Sequence, residues 1–390
     1  MEKLKLGFMI VLLITITALV GCSGKEEASS DKDSEQTVDI GIVLATTGPL
    51  AQTGSWVLEG HKVAADQINK NGGFKVGDQT YKLNIVHYDS EGKAESATAA
   101  TERLINQDKV PVILGTSISS ETAAMIPIAE RSKVPLVTFV AASDILTDQG
   151  AQFFTQAAPA NKNYVNAGVK TMQDMGMTKI AMIYLDDAWG QSYAKLYPPV
   201  IEEAGIEIIT TEKFAPEQKE FLTLLNKVKA ANPDGVLLAA ETELAIPLLK
   251  QLEEIIPDVK VMETGGSIPE EVLNLAPAAA EGMVILSRSG EETEEIKTFK
   301  EIFKESSDYE PNSFAYSGFD GINFIVDAMQ RAGTVSDSGK INEAIRNAEF
   351  TGLIGTYTFN EKGENNLVGN RSVIKDGKVI YQSVDSPLPQ

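Results

Sequence analysis

Residues 38–88, VDIGIVLATTGPLAQTGSWVLEGHKVAADQINKNGGFKVGDQTYKLNIVHY, decide the fold. Val38 to Ala45 is a short, nearly continuous apolar run, Ala45 to Gly54 is small and polar, Val57 to Asn69 has a helical apolar period, and Leu83 to Tyr88 is apolar again. Strand, polar loop, helix and strand make one βαβ unit, and a strand apolar at successive positions must be covered on both faces. The alternation continues outward. Strand-like runs lie at Val112 to Gly115, Leu136 to Val140, Ile180 to Tyr184, Gly235 to Ala239, Val259 to Met262 and Met283 to Leu286. Between or after them lie amphipathic stretches such as Ala94 to Asn106, Thr122 to Arg131, Tyr164 to Met175, Phe221 to Ala230, Leu244 to Glu254, Glu294 to Glu305 and Phe319 to Ala332. This order implies an α/β fold of parallel sheets covered by helices on both faces. Ligands of such sheets sit at the carboxyl ends of the strands.

The small polar residues concentrate in the loops at those ends. Thr116 to Thr122 (TSISSET), Ala141 to Asp144 (AASD), Asp186 to Gly190 (DDAWG), Glu241 to Glu243 (ETE) and Glu263 to Ser267 (ETGGS) follow the first loop. Each alone reads as ordinary helix capping, since Ser, Thr and Asp are preferred at helix starts. Several on one rim would make a cleft of backbone N–H groups and hydroxyls suited to a carboxylate.

Composition limits the function. The 390 residues carry 34 Lys and Arg against 55 Asp and Glu, a formal charge of -21, which would repel a phosphate backbone; nucleic acid is not an expected partner. With 43% hydrophobic residues the body of the chain can bury a sizeable core. A single cysteine permits no internal disulfide and no multi-thiolate zinc site. The two histidines, His61 and His87, have no metal-ligand spacing and read as surface or edge residues, so neither a metal nor a cofactor is expected. Met172, Met175 and Met177 read as packing rather than as a metal site, and the acidic run Glu291 to Glu295 as a solvated face.

Lys3 and Lys5 precede an apolar run from Leu6 to Val20, the pattern of an export signal and too short for a comfortable membrane span. It ends in Leu19-Val20-Gly21-Cys22, which resembles a bacterial lipobox and makes Cys22 the expected lipid acceptor. Residues 1–21 are then a signal peptide, and 22–37, rich in Ser and charge, a flexible tether that holds the body outside the cytoplasmic membrane, at the cell surface or in the periplasm. The remaining length suggests two domains.

TTGPLAQTG (46–54), INKNGG (68–73), YDSEG (88–92), GTSISSETAA (115–124), KVPLVTFVAASDILT (133–147), IYLDDAWGQS (183–192), AAEGM (279–283) and FDGINFIVDAMQRAG (319–333) together carry a family resemblance. In their order and spacing the chain resembles the solute-binding proteins of ABC transporters for branched-chain amino acids, with the type 1 periplasmic-binding fold. That resemblance implies two Rossmann-like lobes joined by a three-segment hinge, at about 38–160 plus 287–362 and 161–286 plus 363–390. It implies a monomeric, non-enzymatic carrier that closes on a small carboxylate-bearing solute, an amino acid first of all, and delivers it to an ABC permease. Ser119 and Ser143 match the positions that hold the solute's carboxylate, Ser120 follows in the same turn, Ala141 matches a carbonyl that accepts from the ammonium, and Trp189 matches the covering aromatic. Three positions depart from the pattern, Gly265, Thr53 and Glu241, the last standing where an aromatic is common. Gly265 stands where the family carries the carboxylate that pairs with the ammonium, and Thr53 stands where a bulky aromatic is common, which leaves room for a larger solute. Glu241 is the expected substitute for the missing carboxylate, with Glu263 as the other candidate and a plain helix cap as the bland role for Glu241.

Three other outputs stand beside this one. A non-amino carboxylate or an amide would need no counter-charge. The same fold could also present its solute to a signalling receptor. Ser192-Tyr193-Ala194-Lys195 has the spacing of an acyltransferase serine and lysine, but no SDN or KTG partner is present.

Overall fold

The structure is a computed structural model that describes residues 36–367 and 369–389. Cys22, the export signal and all of the expected tether before Gln36 lie outside the described residues. In chain order the first elements are β1 (Gln36–Leu44), α1 (Ala51–Lys70), β2 (Phe74–Val76), β3 (Gln79–Asp89), α2 (Ala94–Arg103), β4 (Ile113–Gly115), α3 (Ser119–Ser132), β5 (Leu136–Thr138) and β6 (Phe154–Pro159). Next come α4 (Lys162–Asp174), β7 (Lys179–Leu185), α5 (Ala188–Glu203), β8 (Glu207–Phe214), α6 (Leu222–Ala231), β9 (Gly235–Ala239), α7 (Thr242–Ile255), β10 (Lys260–Glu263), α8 (Pro269–Leu275), α9 (Pro277–Ala280) and β11 (Val284–Ser287). The last are α10 (Glu294–Ser306), α11 (Ser313–Ala332), α12 (Ser338–Arg346), the hairpin β12 (Glu349–Thr351) and β13 (Thr356–Thr358), then β14 (Glu364–Asn365), β15 (Asn370–Lys375) and β16 (Lys378–Gln382).

Two seven-stranded sheets result, ordered β14-β6-β5-β4-β1-β3-β2 and β16-β15-β11-β10-β9-β7-β8. Each sheet with its helices is one lobe. The interior strands are parallel, as the doubly apolar runs require, but β2 pairs antiparallel with β3, and β15 pairs antiparallel with β11 and β16. Asp376 and Gly377 both have positive φ and close the β15–β16 hairpin in two residues, the turn that Asp-Gly favours.

Two boundaries differ from expectation. Gln36 and Thr37, assigned by composition to the tether, pair with Tyr81 and Lys82 and extend β1. Glu364 and Asn365, expected beyond the last crossover, belong to the first sheet, so the chain enters the second sheet between 365 and 370.

In the first lobe α1 packs along α11 at backbone contact. A Cβ on Gly60 would lie 2.1 Å from the Ala315 carbonyl oxygen, and one on Gly318 2.1 Å from that of Val57, so only glycine permits this approach. His61 is buried in the same seam, not at a surface or edge. Its Nδ1 donates to the Gly318 carbonyl at 2.6 Å, and desolvation lowers its pKa to about 4. Asp320, also on α11, accepts from the Leu353 and Ile354 amides and from the Tyr357 hydroxyl, which ties the β12–β13 hairpin to the lobe.

The second lobe fills its interior from both sheet faces. Leu225, Leu238, Leu248 and Ile285 pack on one side, and Met172, Met177, Met182 and Met262 on the other. Met172 and Met177 are core residues, with Met175 partly buried beside them. First-lobe residues join these clusters, Leu50 and Ile118 on one side and Ala142 and Ala158 on the other, so the two lobes are in apolar contact.

Candidate functional site

The loops that meet between the lobes are those at the strands' carboxyl ends. α1 starts after Leu50, α3 after Ile118 and α7 after Glu241, and none of the three has a side-chain cap on its first turn. Glu241 therefore occupies the N-cap position without a capping hydrogen bond from its own side chain. Beside these helix starts lies a cavity of about 20 Å³. The first lobe contributes Thr53, Ser117, Val140 and Phe314 to its wall, and the second Trp189, Glu241, Gly265 and Gly266. Arg288, just past β11, completes it.

The polar atoms there are short of partners. Thr53 Oγ1, Ser117 Oγ and Glu241 Oε2 are all buried and make no hydrogen bond. Larger cavities of about 420 and 840 Å³ lie along α10, but among the described residues no buried polar side-chain atom without a partner lines either of them. Unsatisfied buried groups are costly, and three of them line a cavity that both lobes build, where a ligand would complete their bonding. The small cleft is therefore the stronger site.

Its acidic residues have separate fates. Glu263 is fully buried, and its oxygens accept from the Gly265 and Gly266 amides at 3.0 Å and from the Ser267 amide at 3.3 Å. Burial still pushes its pKa to about 7, but the carboxylate is committed to its own turn. Glu243 lies near the Gln52 and Thr53 amides at the start of α1, at a geometry short of a full hydrogen bond. Asp187 caps α5 through Oδ1, which accepts from Gly190 at 2.8 Å, and burial raises its pKa to about 6. Glu241 is left free, with the Thr53 hydroxyl near it but short of a full hydrogen bond. Its pKa is pushed well up, first by burial and then by the negative charges of Glu243 and Asp187, with Arg288 pulling the other way.

The backbone explains the absence of a carboxylate at 265. Gly265 has φ +101°, and a Cβ there would lie 2.9 Å from the Leu286 carbonyl oxygen. At Gly266 a Cβ would lie 2.5 Å from the Ala240 carbonyl oxygen and 2.7 Å from the Trp189 ring. The turn that lets Trp189 approach needs glycine at both positions.

The other expected residues are placed differently. Trp189 lines the cavity and packs edge-on against Tyr193 with ring centroids 5.3 Å apart. Ser119 and Ser143 are buried beside the cavity, outside its wall: Ser119 Oγ accepts from the Ser143 amide at 3.3 Å, and Ser143 Oγ donates across the lobes to the Ala188 carbonyl at 2.9 Å. Ala141 is buried, with its amide donating to Thr138 Oγ1, while Ser120 faces solvent. Ser120, expected at the site because it follows Ser119, is turned outward by the first turn of α3. Thr53 shares its small space with Glu241, Arg288 and Phe314. Arg288 and Phe314 are not among the residues expected from sequence. A lone cation directly after an apolar strand is the available signal for Arg288. Ser192 donates to Asp144 Oδ2 at 3.1 Å, while Lys195 is exposed, so the serine and lysine are not paired.

Residues 37–371 match the family described as periplasmic binding protein. The chain belongs to that family. A periplasmic binding protein of this length has counterparts among curated sequences. The leucine-, isoleucine-, valine-, threonine- and alanine-binding protein of Pseudomonas aeruginosa is 28% identical over 331 residues, covering 84% of this chain and 87% of its own. The Leu/Ile/Val-binding protein of Escherichia coli is 21% identical and covers 89% and 92%. Among solved structures, the leucine binding protein LivK of Thermotoga maritima superposes with a TM-score of 0.79 at 23% identity, covering 88% of this chain and 97% of that one. A solute binding protein of an ABC transporter from R. palustris, in complex with benzoate, superposes with a TM-score of 0.79 at 21% identity, covering 90% and 97%. These likenesses carry the two-lobe α/β fold to this periplasmic binding protein. Among its described residues no helix is long and apolar enough to cross a membrane, and no group of three or more His, Cys, Asp or Glu is arranged to hold a metal.

Proposed function

We propose that this protein is the extracytoplasmic solute-binding component of an ABC importer, held to the membrane by a lipid on Cys22, and that it captures an amino acid between its lobes for delivery to a permease. The observation that carries the reading is the buried Glu241 Oε2, which has no partner and lines a cavity built by both lobes. A buried carboxylate without a counter-charge is costly, and the ammonium of an amino acid supplies that charge. Glu263, whose oxygens accept from three backbone amides, is less suited to this role.

An amino acid is much larger than 20 Å³, so its entry requires the lobes to part. The Ser143 bond to Ala188 and the Ser192 bond to Asp144 cross between the lobes and would break in doing so. The first of these frees the Ser143 hydroxyl, and with Ser119 beside it the pair would take the carboxylate. Trp189 and Glu241 would then close over the solute from the second lobe.

The test is thermal unfolding of the protein with amino acids and with their des-amino counterparts. A ligand at 100-fold excess over its Kd adds about 2.7 kcal/mol of stability, which a melting curve resolves. Stabilisation by the zwitterions alone supports the reading. Stabilisation by des-amino or aromatic carboxylates alone, of the kind carried by the R. palustris neighbour, would replace it with a non-amino carboxylate carrier.

A further inference from the structure

The Arg288 guanidinium stacks over the Phe314 ring, 4.8 Å from its centroid, and Nη1 donates to the Phe139 carbonyl at a long 3.3 Å. Among the described residues it makes no other hydrogen bond and no ion pair. Glu241 lines the same cavity, yet its carboxyl and the guanidinium do not meet in an ion pair. Thr53 and Ser117, 1% and 5% exposed, add two buried hydroxyls without partners. A donor fork, a carboxylate and two hydroxyls thus converge on a space that admits about one water molecule.

We propose that Arg288, with Thr53 and Ser117, selects the side chain of the solute, and that the solute is an amino acid whose side chain ends in a carboxamide. This deepens the amino-acid reading and rests on it. With the ammonium on Glu241, the remaining groups face the side chain. An aliphatic group placed among them would strip water from all three and return no hydrogen bond. A carboxamide offers its carbonyl oxygen to Arg288 and its N–H groups to the hydroxyls. Charge decides against the ionic alternatives. Asp187 and Glu243 stand beside Glu241 on the second-lobe side, so a side-chain carboxylate would meet their charge as well as Arg288, and a cationic side chain meets Arg288.

Calorimetric titration of the purified protein with asparagine, glutamine, aspartate, glutamate, lysine and leucine tests this. The expected result is binding of asparagine or glutamine at least about tenfold tighter than leucine or the charged amino acids. Arg288→Met should erase that preference while leaving the unliganded melting temperature near that of wild type. Arg288→Lys, which keeps the charge and loses the fork, is the second variant and should reduce the preference several-fold. The proposal is overturned if leucine or a charged amino acid binds tightest, or if both variants keep the wild-type ranking. Binding of des-amino carboxylates with no binding of any amino acid is a different outcome, and it removes the amino-acid reading itself.

Discussion

Glu241 of the second lobe and Thr53 of the first face one another in the cleft, and neither Glu241 Oε2 nor Thr53 Oγ1 has a hydrogen-bond partner. The lobes thus meet at this point with their polar groups unsatisfied, an arrangement that costs stability in the unliganded protein. An amino acid bound between the lobes would supply the missing partners.

Glu241→Gln should separate stability from function. The raised pKa of Glu241 means that its carboxyl contributes stability below about pH 4.5, its ordinary value, and that this contribution is lost as pH rises through the folded-state pKa. At pH 8 the unliganded Gln variant should therefore melt higher than wild type. Its affinity for an amino acid should fall by about thirtyfold or more, corresponding to the roughly 2 kcal/mol or more lost when one member of a buried charge pair is removed. Melting curves and titration calorimetry on the same preparation check both.

Binding should release protons. A Glu241 whose pKa stands well above the usual range in the unliganded protein must ionise to pair with an ammonium. Amino-acid affinity should rise with pH from the ordinary glutamate range up to that raised value and level off above it. Calorimetry near pH 7 in two buffers of different ionisation enthalpy should show proton release for wild type and none for Glu241→Gln.

Restoring a carboxylate at 265 should fail. Gly265→Glu places a side chain at φ +101°, with its Cβ 2.9 Å from the Leu286 carbonyl oxygen. The expected cost is about 1–3 kcal/mol of stability, with no gain in affinity, measured by urea unfolding and calorimetry.

The sequence carries the architecture because its signals are local and redundant. Val236, Leu237 and Leu238 are buried at consecutive positions of β9, and consecutive burial is what an interior parallel strand writes into a sequence. Other elements signal more weakly. β8 alternates at a half-exposed sheet edge, and α5 continues through Pro198 and Pro199, residues that read as a helix end. At the site, Trp189 and Glu241 are legible because each stands next to a helix start at a strand's carboxyl end. Ser120 shows the limit of that reading, since neighbours in one helical turn face different directions. Arg288 carries only the weak signal of a cation directly after an apolar strand, and the commitment of Glu263 to its own turn depends on backbone geometry at Gly265 and Gly266.

Glu263→Gln should change how stability depends on pH. With its pKa raised to about 7, the contribution of Glu263 is full below about pH 4.5 and is lost as pH rises through about 7. At low pH, where the protonated Glu263 likewise offers one carbonyl oxygen, the variant should lie close to wild type in stability. Its stability should fall less than that of wild type between pH 4.5 and 8, as read from urea midpoints across that range.

The most direct test of Glu241 as the partner of a ligand ammonium is calorimetric titration of wild type and Glu241→Gln with glutamine and with its des-amino analogue. Wild type should bind glutamine and discriminate strongly against the des-amino compound, and the variant should lose most of that discrimination. Equal or tighter binding of the des-amino compound by wild type would contradict that role.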